Sequence, residues 1–430
     1  MVMVAPSGRH GRNRDVVTLR GRHQRVPIGH EGSCGNQHDT ARCPIAVILA
    51  QAEVCVISAD SNEQRQARPS RRVRPVVIFV GAKEVSVVSF MTVYCYRNGK
   101  REGQSMNVRE VGSTGQVVGA IGLGCMGMSW GYRESARDDD VSIRVIREAV
   151  ERGVTLIDTA DIYGDGHNES LVGRALSGIR DDVVISTKGG LVVDNLESRA
   201  MHRDASARHM RDALDASLKR LGVDGVDLYY LHRVDENVPL EETWAQLAEF
   251  VTSGRVRHLG LSEVSVSDAA LVHAIHPVAA IQSEMSLWTR DALVPAPDED
   301  TSVLDWTSAN GAMFVPFAPL GRGFLSGSIG VATSFESSDF RASNPRFSDE
   351  ARRANETIIS VVRSVALRRN VTPAQIALAW TLAQSGNVIP IPGTKSSKHL
   401  VENIEAASVH LDDQDLRELN ELPAAMGSRY

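Results

Sequence analysis

The sequence predicts an α/β chain folded as a closed (β/α)8 TIM barrel, with a short N-terminal hairpin ahead of it. Three observations carry this prediction. Beyond residue 106, short apolar runs alternate with amphipathic stretches, the pattern of parallel strands joined by right-handed helical crossovers. Eight such runs can be marked out, over a span that suits the ~250 or more residues of such a barrel. Several runs also end on a polar or ionisable residue, at the strand ends where barrels of this kind gather their chemistry. An open doubly wound sheet is the alternative arrangement.

The elements follow in order. "NVREVGSTGQVVGAIGLG" reads as a hairpin, with Ser-Thr-Gly at its turn, running into a first barrel strand at 117–124. Helical pattern resumes near Asp138. Strand "VTLID" (154–158) precedes a helix at 168–177, and "DVVISTK" (182–188) precedes one at 206–221. "VDLYYLH" (226–232) leads to a helix at 240–253, and "VRHLGLS" (256–262) to one at 267–275. "VAAIQS" (278–283), a helix near 301–309 and "AMFVPFAPLG" (312–321) come next. Helices at 349–369 and 373–385, strand "NVIPIPG" (387–393) and a last helix near 396–407 complete the set.

The first 105 residues are different in kind. They hold 16 Lys+Arg against 8 Asp+Glu, 14 of the 16 being Arg, while the whole chain has a net charge of −6. They show no sustained helical or strand period, so 1–105 reads as a disordered or non-native extension, with Met106 as an internal start and 106–430 as the barrel. The run "RPSRRVRP" has a second reading as a targeting or nucleic-acid arm, but an acidic main body gives no nucleic-acid footprint. Four of the five cysteines lie in this extension, which leaves no disulfide framework beyond it and suits the cytoplasm. The spacing of Cys34, His38 and Cys43 matches no zinc pattern, and no metal is expected. Apolar stretches are broken by Glu53 and by Lys83-Glu84, short of the ~20 residues that span a membrane.

"GLGCMG" at 122–127 spells a dinucleotide-binding G-x-G-x-x-G. Its context argues otherwise. The third glycine of that motif opens a helix, whereas "MSWGYRESARDDD" follows Gly127 here, and Asp158 comes 31 residues later. The glycines read instead as a tight exit from the first strand into a loop carrying Trp130 and Tyr132.

Strand ends, taken together, form a constellation. Side chains alternate along a strand, so Leu156 and Asp158 share a face, as do Ser186 and Lys188, and Leu228, Tyr230 and His232. If those rows point inward, Asp158, Lys188 and His232 converge, and Tyr163 reaches over them from the next loop. A phenol titrates near 10, too high for ready acid catalysis at neutral pH. A neighbouring ammonium is expected to lower that value, a carboxylate to hold the ammonium, and an imidazole to bind a carbonyl oxygen. Lys188 is the telling member, being one of six lysines in a chain of 41 arginines. Asp161 reads as turn chemistry. No hydride source is present among these groups, so a cofactor must bring one.

The motifs "LIDTADIYGDGHNE", "VVISTKGG", "VDLYYLHRVDENVPLEET" and "GRVRHLGLSE" resemble, in order, the signatures of the aldo-keto reductase superfamily. "SLWTRD", "VPFAPLGRGFLSG", "FRASNPRF" and "VTPAQIALAW…VIPIPGTK" continue the resemblance, which runs from about Met106 to the last predicted helix. The likeness is greatest to the branch that includes pyridoxal- and perakine-reductase-like enzymes. It implies an oxidoreductase that reduces aldehydes or ketones with NADPH, NADH remaining possible, and Asp158, Tyr163, Lys188 and His232 as its catalytic four. It further places Ser262 and Gln282 on the nicotinamide amide and Phe317 on the nicotinamide face. Leu320, Gly321, Gly323 and Leu325 fall on the pyrophosphate. Gly393, Thr394, Lys395, His399, Glu402 and Asn403 fall on the adenosine phosphate. Trp130, Tyr132 and Trp288 are expected to line the substrate pocket. His399 stands where the family often has Arg, Ser328 where Lys is frequent and Met285 where Tyr is frequent. The same fold also serves potassium-channel β-subunits, so a non-catalytic NADPH-binding regulatory subunit is the second reading.

Overall fold

A computed structural model describes residues 107–429. The Arg-rich extension with its four cysteines, and Met106, lie outside the described residues.

The chain enters through an antiparallel hairpin, β1 (Val108–Glu110) with β2 (Val117–Gly119). The first barrel strand, β3 (Leu123–Gly124), is only two residues long. The single strand expected at 117–124 is thus divided. Residues 117–119 pair with 108–110, which leaves 123–124 alone to meet the next barrel strand. Gly122 lies between them, where a Cβ would sit 2.9 Å from Ile391 and 3.1 Å from the Leu156 carbonyl.

After β3 come α1 (Asp139–Glu151), β4 (Leu156–Asp158), α2 (His167–Leu176) and β5 (Val184–Gly189). A second hairpin, β6 (Leu191–Asn195) with β7 (Ala200–Arg203), follows; the sequence reading does not include it. Then α3 (Ala207–Leu221), β8 (Val226–Leu231), α4 (Leu240–Thr252), β9 (Val256–Ser262), α5 (Val266–His273) and β10 (Val278–Glu284) alternate as expected. The series continues with α6 (Val303–Ala309), β11 (Met313–Phe317), α7 (Asp349–Ala354), α8 (Glu356–Arg369), α9 (Pro373–Ala383), α10 (Ser397–Glu405) and α11 (Asp413–Asn420).

Local sequence explains most helix boundaries. Side chains of Asp138, Ser206, Ser265 and Ser302 accept the N3 amide of their helices. Thr372 and Gln375 form a reciprocal capping box ahead of α9, with Pro373 at its first position. The one helix expected at 349–369 is two, parted at Asn355. That buried amide exchanges hydrogen bonds with the backbone of Met426, donating at 3.1 Å and accepting at 2.8 Å. Helix α11 is absent from the sequence reading, although Asp412 and Asp415 form a capping box there too.

Seven strands pair in the order β3-β4-β5-β8-β9-β10-β11, all parallel. The eighth position is filled by residues 387–391. The Phe314 amide donates to Asn387, and those of Ile389 and Ile391 donate to Phe314 and Pro316, at 2.9–3.1 Å. On the other side Gly122 donates to the Pro390 carbonyl at 2.9 Å. Pro390 and Pro392 have no N–H to return on this side, and toward β11 the contact is the isolated parallel bridge Phe314–Val388 instead of a full strand. The ring nevertheless closes, which excludes the open doubly wound sheet.

Inside the barrel, Leu156, Val184, Leu228, Tyr230, Met313, Val315 and Ile389 form one apolar cluster, with Val111 and Val118 of the first hairpin against them. Their outward neighbours Ile157, Ile185, Tyr229, Leu259 and Ile281 pack under the helices in a second cluster. The period-two division is the one the strand sequences predict. Among the described residues no helix is long and apolar enough to cross a membrane.

Candidate active site

Asp158 and Lys188 arrive at the inner face because each is the last inward position of its strand. Register places Asp158 beside Ser186 and Lys188 beside Tyr230. The Lys188 ammonium is fully buried. It donates to Asp158 Oδ1 at 2.7 Å, to the Thr159 carbonyl at 2.7 Å and to the Tyr163 hydroxyl at 3.3 Å. The other carboxylate oxygen of Asp158 accepts from Ser186 Oγ at 2.8 Å and from Gln282 Nε2 at 2.9 Å.

Tyr163 is carried by a tight loop. Its carbonyl accepts from the Asn168 amide, and Gly164, Asp165 and Gly166 behind it all adopt left-handed backbone. Asp161 is turn chemistry, as expected: its Oδ1 caps the Ile162 amide at 2.7 Å. Burial, and Glu169 nearby, hold the Asp161 carboxyl well above the ordinary carboxylate range.

The electrostatics correct one expectation. Burial pushes the Tyr163 phenol above its ordinary value of 10.0. The Lys188 ammonium works against that rise and Asp158 adds to it, so the net shift is upward where a downward one is expected from the sequence. Burial also disfavours the Lys188 charge, but Asp158 and Tyr163 outweigh it and hold the amine above its ordinary value. Lys188 is a fixed cation.

His232 directly follows β8, its amide donating to the Gly189 carbonyl at 2.8 Å. Its ring meets Tyr163 edge-on, with centroids 6.0 Å apart. Burial, then the Arg233 and Lys188 charges, hold the imidazole well below its ordinary pKa, so it is neutral. Nδ1 is sealed from solvent with no hydrogen-bond partner. A lone pair is cheaper to leave unmatched there than an N–H, which puts the ring proton on Nε2.

Ser262 and Gln282, both buried, are register partners at the ends of β9 and β10. Phe317 ends β11, half-buried beside the inner cluster. The loop after it turns sharply, with left-handed backbone at Ala318, Gly321, Arg322 and Gly323, and Leu325 is buried. At the last strand end, a Cβ at Gly393 would lie 3.0 Å from the Gly124 carbonyl. Thr394 Oγ1 accepts from the Ser396 amide, and Ser396 caps α10. Lys395 donates to the Tyr132 and Arg133 carbonyls at 3.2 and 3.5 Å, and burial lowers its pKa. His399 is exposed, Glu402 faces Lys398 at 3.8 Å, and Asn403 is buried. A lysine, a threonine and a helix N-terminus make a donor set that fits a phosphate. These groups therefore fit a dinucleotide laid from Ser262 to α10.

Trp130 stands 6.3 Å from Tyr163, centroid to centroid. Phe340, which the sequence reading does not single out, meets Trp130 at 5.5 Å and Tyr132 at 6.1 Å, both edge-on, and Arg199 lies over its face. Burial raises the Tyr132 phenol to about 12. Trp288 is not brought to this rim. It stacks on Phe324 at 4.2 Å and meets Phe347 in a separate cluster beneath Gly321. Two further groups also escape the sequence reading: Arg233, and Glu284, whose buried carboxylate lies 3.3 Å from Arg322 and 3.6 Å from Arg346. Glu284 ends its strand as Asp158 does, a signal that was available.

Comparison with known proteins agrees with this architecture. The family model "Aldo/keto reductase family" matches residues 120–424. A curated relative from Glycine max, "Probable aldo-keto reductase 1", is 39% identical over 325 residues, covering 75% of this chain and 91% of that one. Among solved structures, the glycerol dehydrogenase of Gluconobacter oxydans is similar at a TM-score of 0.64 and 26% identity, covering 73% of this chain and 94% of its own. An aldo/keto reductase from Klebsiella pneumoniae, solved with NADP and acetate, gives 0.56 and 26%, covering 75% and 98%. With its barrel, its ordered motifs and these likenesses, the chain belongs to the aldo/keto reductase family of oxidoreductases.

Proposed function

We propose that the protein reduces an aldehyde or ketone to the alcohol, with Tyr163 as the proton donor and NADPH as the cofactor. The observation that carries this reading is the buried ammonium of Lys188, held at once by Asp158 and by the Tyr163 hydroxyl. A reduced nicotinamide supplies the hydride when bound. Ser262 and Gln282 bind its amide and Phe317 its ring face. Leu320, Gly321, Gly323 and Leu325 bind the pyrophosphate. Gly393, Thr394, Lys395, His399, Glu402 and Asn403 hold the adenosine phosphate. The exposed His399 leaves Lys395 as the fixed charge for a 2′-phosphate, so NADH is accepted less well but not refused.

His232, neutral and protonated on Nε2, donates a hydrogen bond to the substrate carbonyl and orients it. As negative charge develops on that oxygen, the Tyr163 phenol transfers its proton, and the phenolate left behind is stabilised by Lys188. Asp158 keeps that ammonium charged and in place. Trp130 and Tyr132 form an aromatic rim for the substrate, while Trp288 supports the cofactor loop from beneath Gly321. A cytoplasmic location suits the buried thiol of Cys125, the free cysteine among the described residues.

The names of the relatives support a redox reaction between carbonyl and alcohol, and the Klebsiella protein's NADP supports the cofactor. Purified protein mixed with NADPH and a panel of aldehydes, followed by absorbance, tests the proposal. Tight cofactor binding with negligible oxidation across the panel would favour the regulatory-subunit reading instead.

A further inference from the structure

We propose that Arg233 is a positioning residue that sets the hydrogen-bond polarity of the carboxamide subsite, acting through Ser262. The inference rests on the nicotinamide reading above. Arg233 Nη1 donates to the His232 carbonyl at 2.6 Å and to Ser262 Oγ at 3.0 Å. A guanidinium only donates. Ser262 Oγ is therefore the acceptor in that bond, and its own proton is directed elsewhere. Gln282, paired with Ser262 in register, gives its Nε2 to Asp158 Oδ2 at 2.9 Å. An ionised carboxylate only accepts, so the amide of Gln282 is held with its oxygen turned away from Asp158.

Two neighbouring strand ends thus offer one O–H donor and one C=O acceptor. That is the complement of a primary carboxamide, whose oxygen accepts and whose NH2 donates. The backbone secures the pair, since the Glu263 amide donates to the Gln282 carbonyl at 3.0 Å. Glu263 itself is left-handed, and its carboxylate takes the Glu284 amide at 2.7 Å and Arg429 at 2.5 Å. Without Arg233 the serine hydroxyl is free to rotate, and its donor role is no longer fixed. Asp158 joins the two halves of the site: it orients Gln282 on one oxygen and holds Lys188 on the other.

The test is a fluorescence titration of the full chain with NADPH and with its reduced thionicotinamide analogue, whose sulfur is a poor acceptor. The unaltered chain should prefer NADPH. Arg233→Met should weaken NADPH roughly three- to tenfold, the range for one hydrogen bond, and the analogue by less than about twofold. In a Ser262→Ala background the same substitution should leave the preference unchanged, because the two residues act as one unit. Arg233→Lys, whose ammonium stops one bond short of Nη1, keeps the charge and should show the same narrowing if the methionine variant does not fold. Equal weakening of both ligands, or an undiminished preference, overturns the inference while leaving the cofactor reading intact. Failure of the unaltered chain to bind NADPH overturns both.

Discussion

The Lys188 ammonium lies 2.7 Å from the Asp158 carboxylate, and both side chains are shut away from water. Their strands are neighbours, so the pair is assembled by the sheet itself. Each charge is tolerable there only because the other is present.

Removing one partner should therefore cost more than removing both. Asp158→Leu should lower stability by about 3–5 kcal/mol, the usual cost of leaving a buried charge unpaired. The double variant Asp158→Leu with Lys188→Met should recover at least half of that loss. Urea unfolding of the three proteins gives the comparison, and a double variant less stable than the single one would contradict it.

Tyr163→Phe retains the ring and its packing against Trp130 and His232 but loses the transferable proton. Turnover of a generic aromatic aldehyde should drop roughly 10²–10⁴-fold, with NADPH affinity unchanged. Single-turnover absorbance with a parallel binding titration checks both halves. Undiminished turnover would remove Tyr163 from the chemistry.

The pH response follows from two directions of shift. His232 is depressed well below its ordinary 6.5, and Tyr163 is raised above 10.0. Neither group changes charge between about pH 6 and about pH 9, so kcat should be level across that window. Stability behaves differently at the acid end. Below about 6.5 the unfolded chain takes up a proton at His232 that the folded chain refuses, so His232 contributes a loss of stability as pH falls. An inflection in kcat near pH 6.5 that His232→Asn abolishes would overturn this assignment.

Phe340 should govern substrate size. Its ring meets Trp130 and Tyr132, and its amide donates to the Gly131 carbonyl at 2.9 Å. Phe340→Ala should change kcat/KM for bulky aromatic aldehydes at least about threefold relative to small aliphatic ones. The stability cost should be about 1–2 kcal/mol, below the 3–5 kcal/mol of a fully buried ring. A Cβ at Gly131 would fall 2.3 Å from that ring, and the backbone there is left-handed, so Gly131→Ala should shift selectivity in the same direction. Parallel changes across all substrate sizes would show that Phe340 is only structural.

Arg109 ties the first hairpin to the far end of the chain, donating to the carbonyls of Leu382, Ser385 and Val388. Arg109→Met strands those acceptors and should cost about 1–3 kcal/mol without altering the aldehyde preference. Thermal unfolding beside a substrate panel separates the two effects.

Much of the site was legible in the sequence because direction along a strand is local information. Alternation alone sets Asp158 and Lys188 on the same side as Leu156 and Ser186, and ordered motifs supply Tyr163 and His232. Strand and helix order follow from the same short-range periodicities. Arg233 is not legible there because its contact with Ser262 spans 29 residues, nor is Phe340, because its partners Trp130 and Tyr132 lie far earlier in the chain.

By itself, then, the sequence determined the alternation of the barrel strands and helices, the faces of the strands and four polar side chains that the fold brings together. Tertiary structure decided the rest. Closure through 387–391 depends on which backbone groups two prolines leave available. The division of 117–124 depends on competition between two strand partners. The upward shift of Tyr163 depends on burial, which exists only once the barrel has closed around it. Periodicity is written into neighbouring residues, whereas desolvation and long-range pairing are properties of the folded chain.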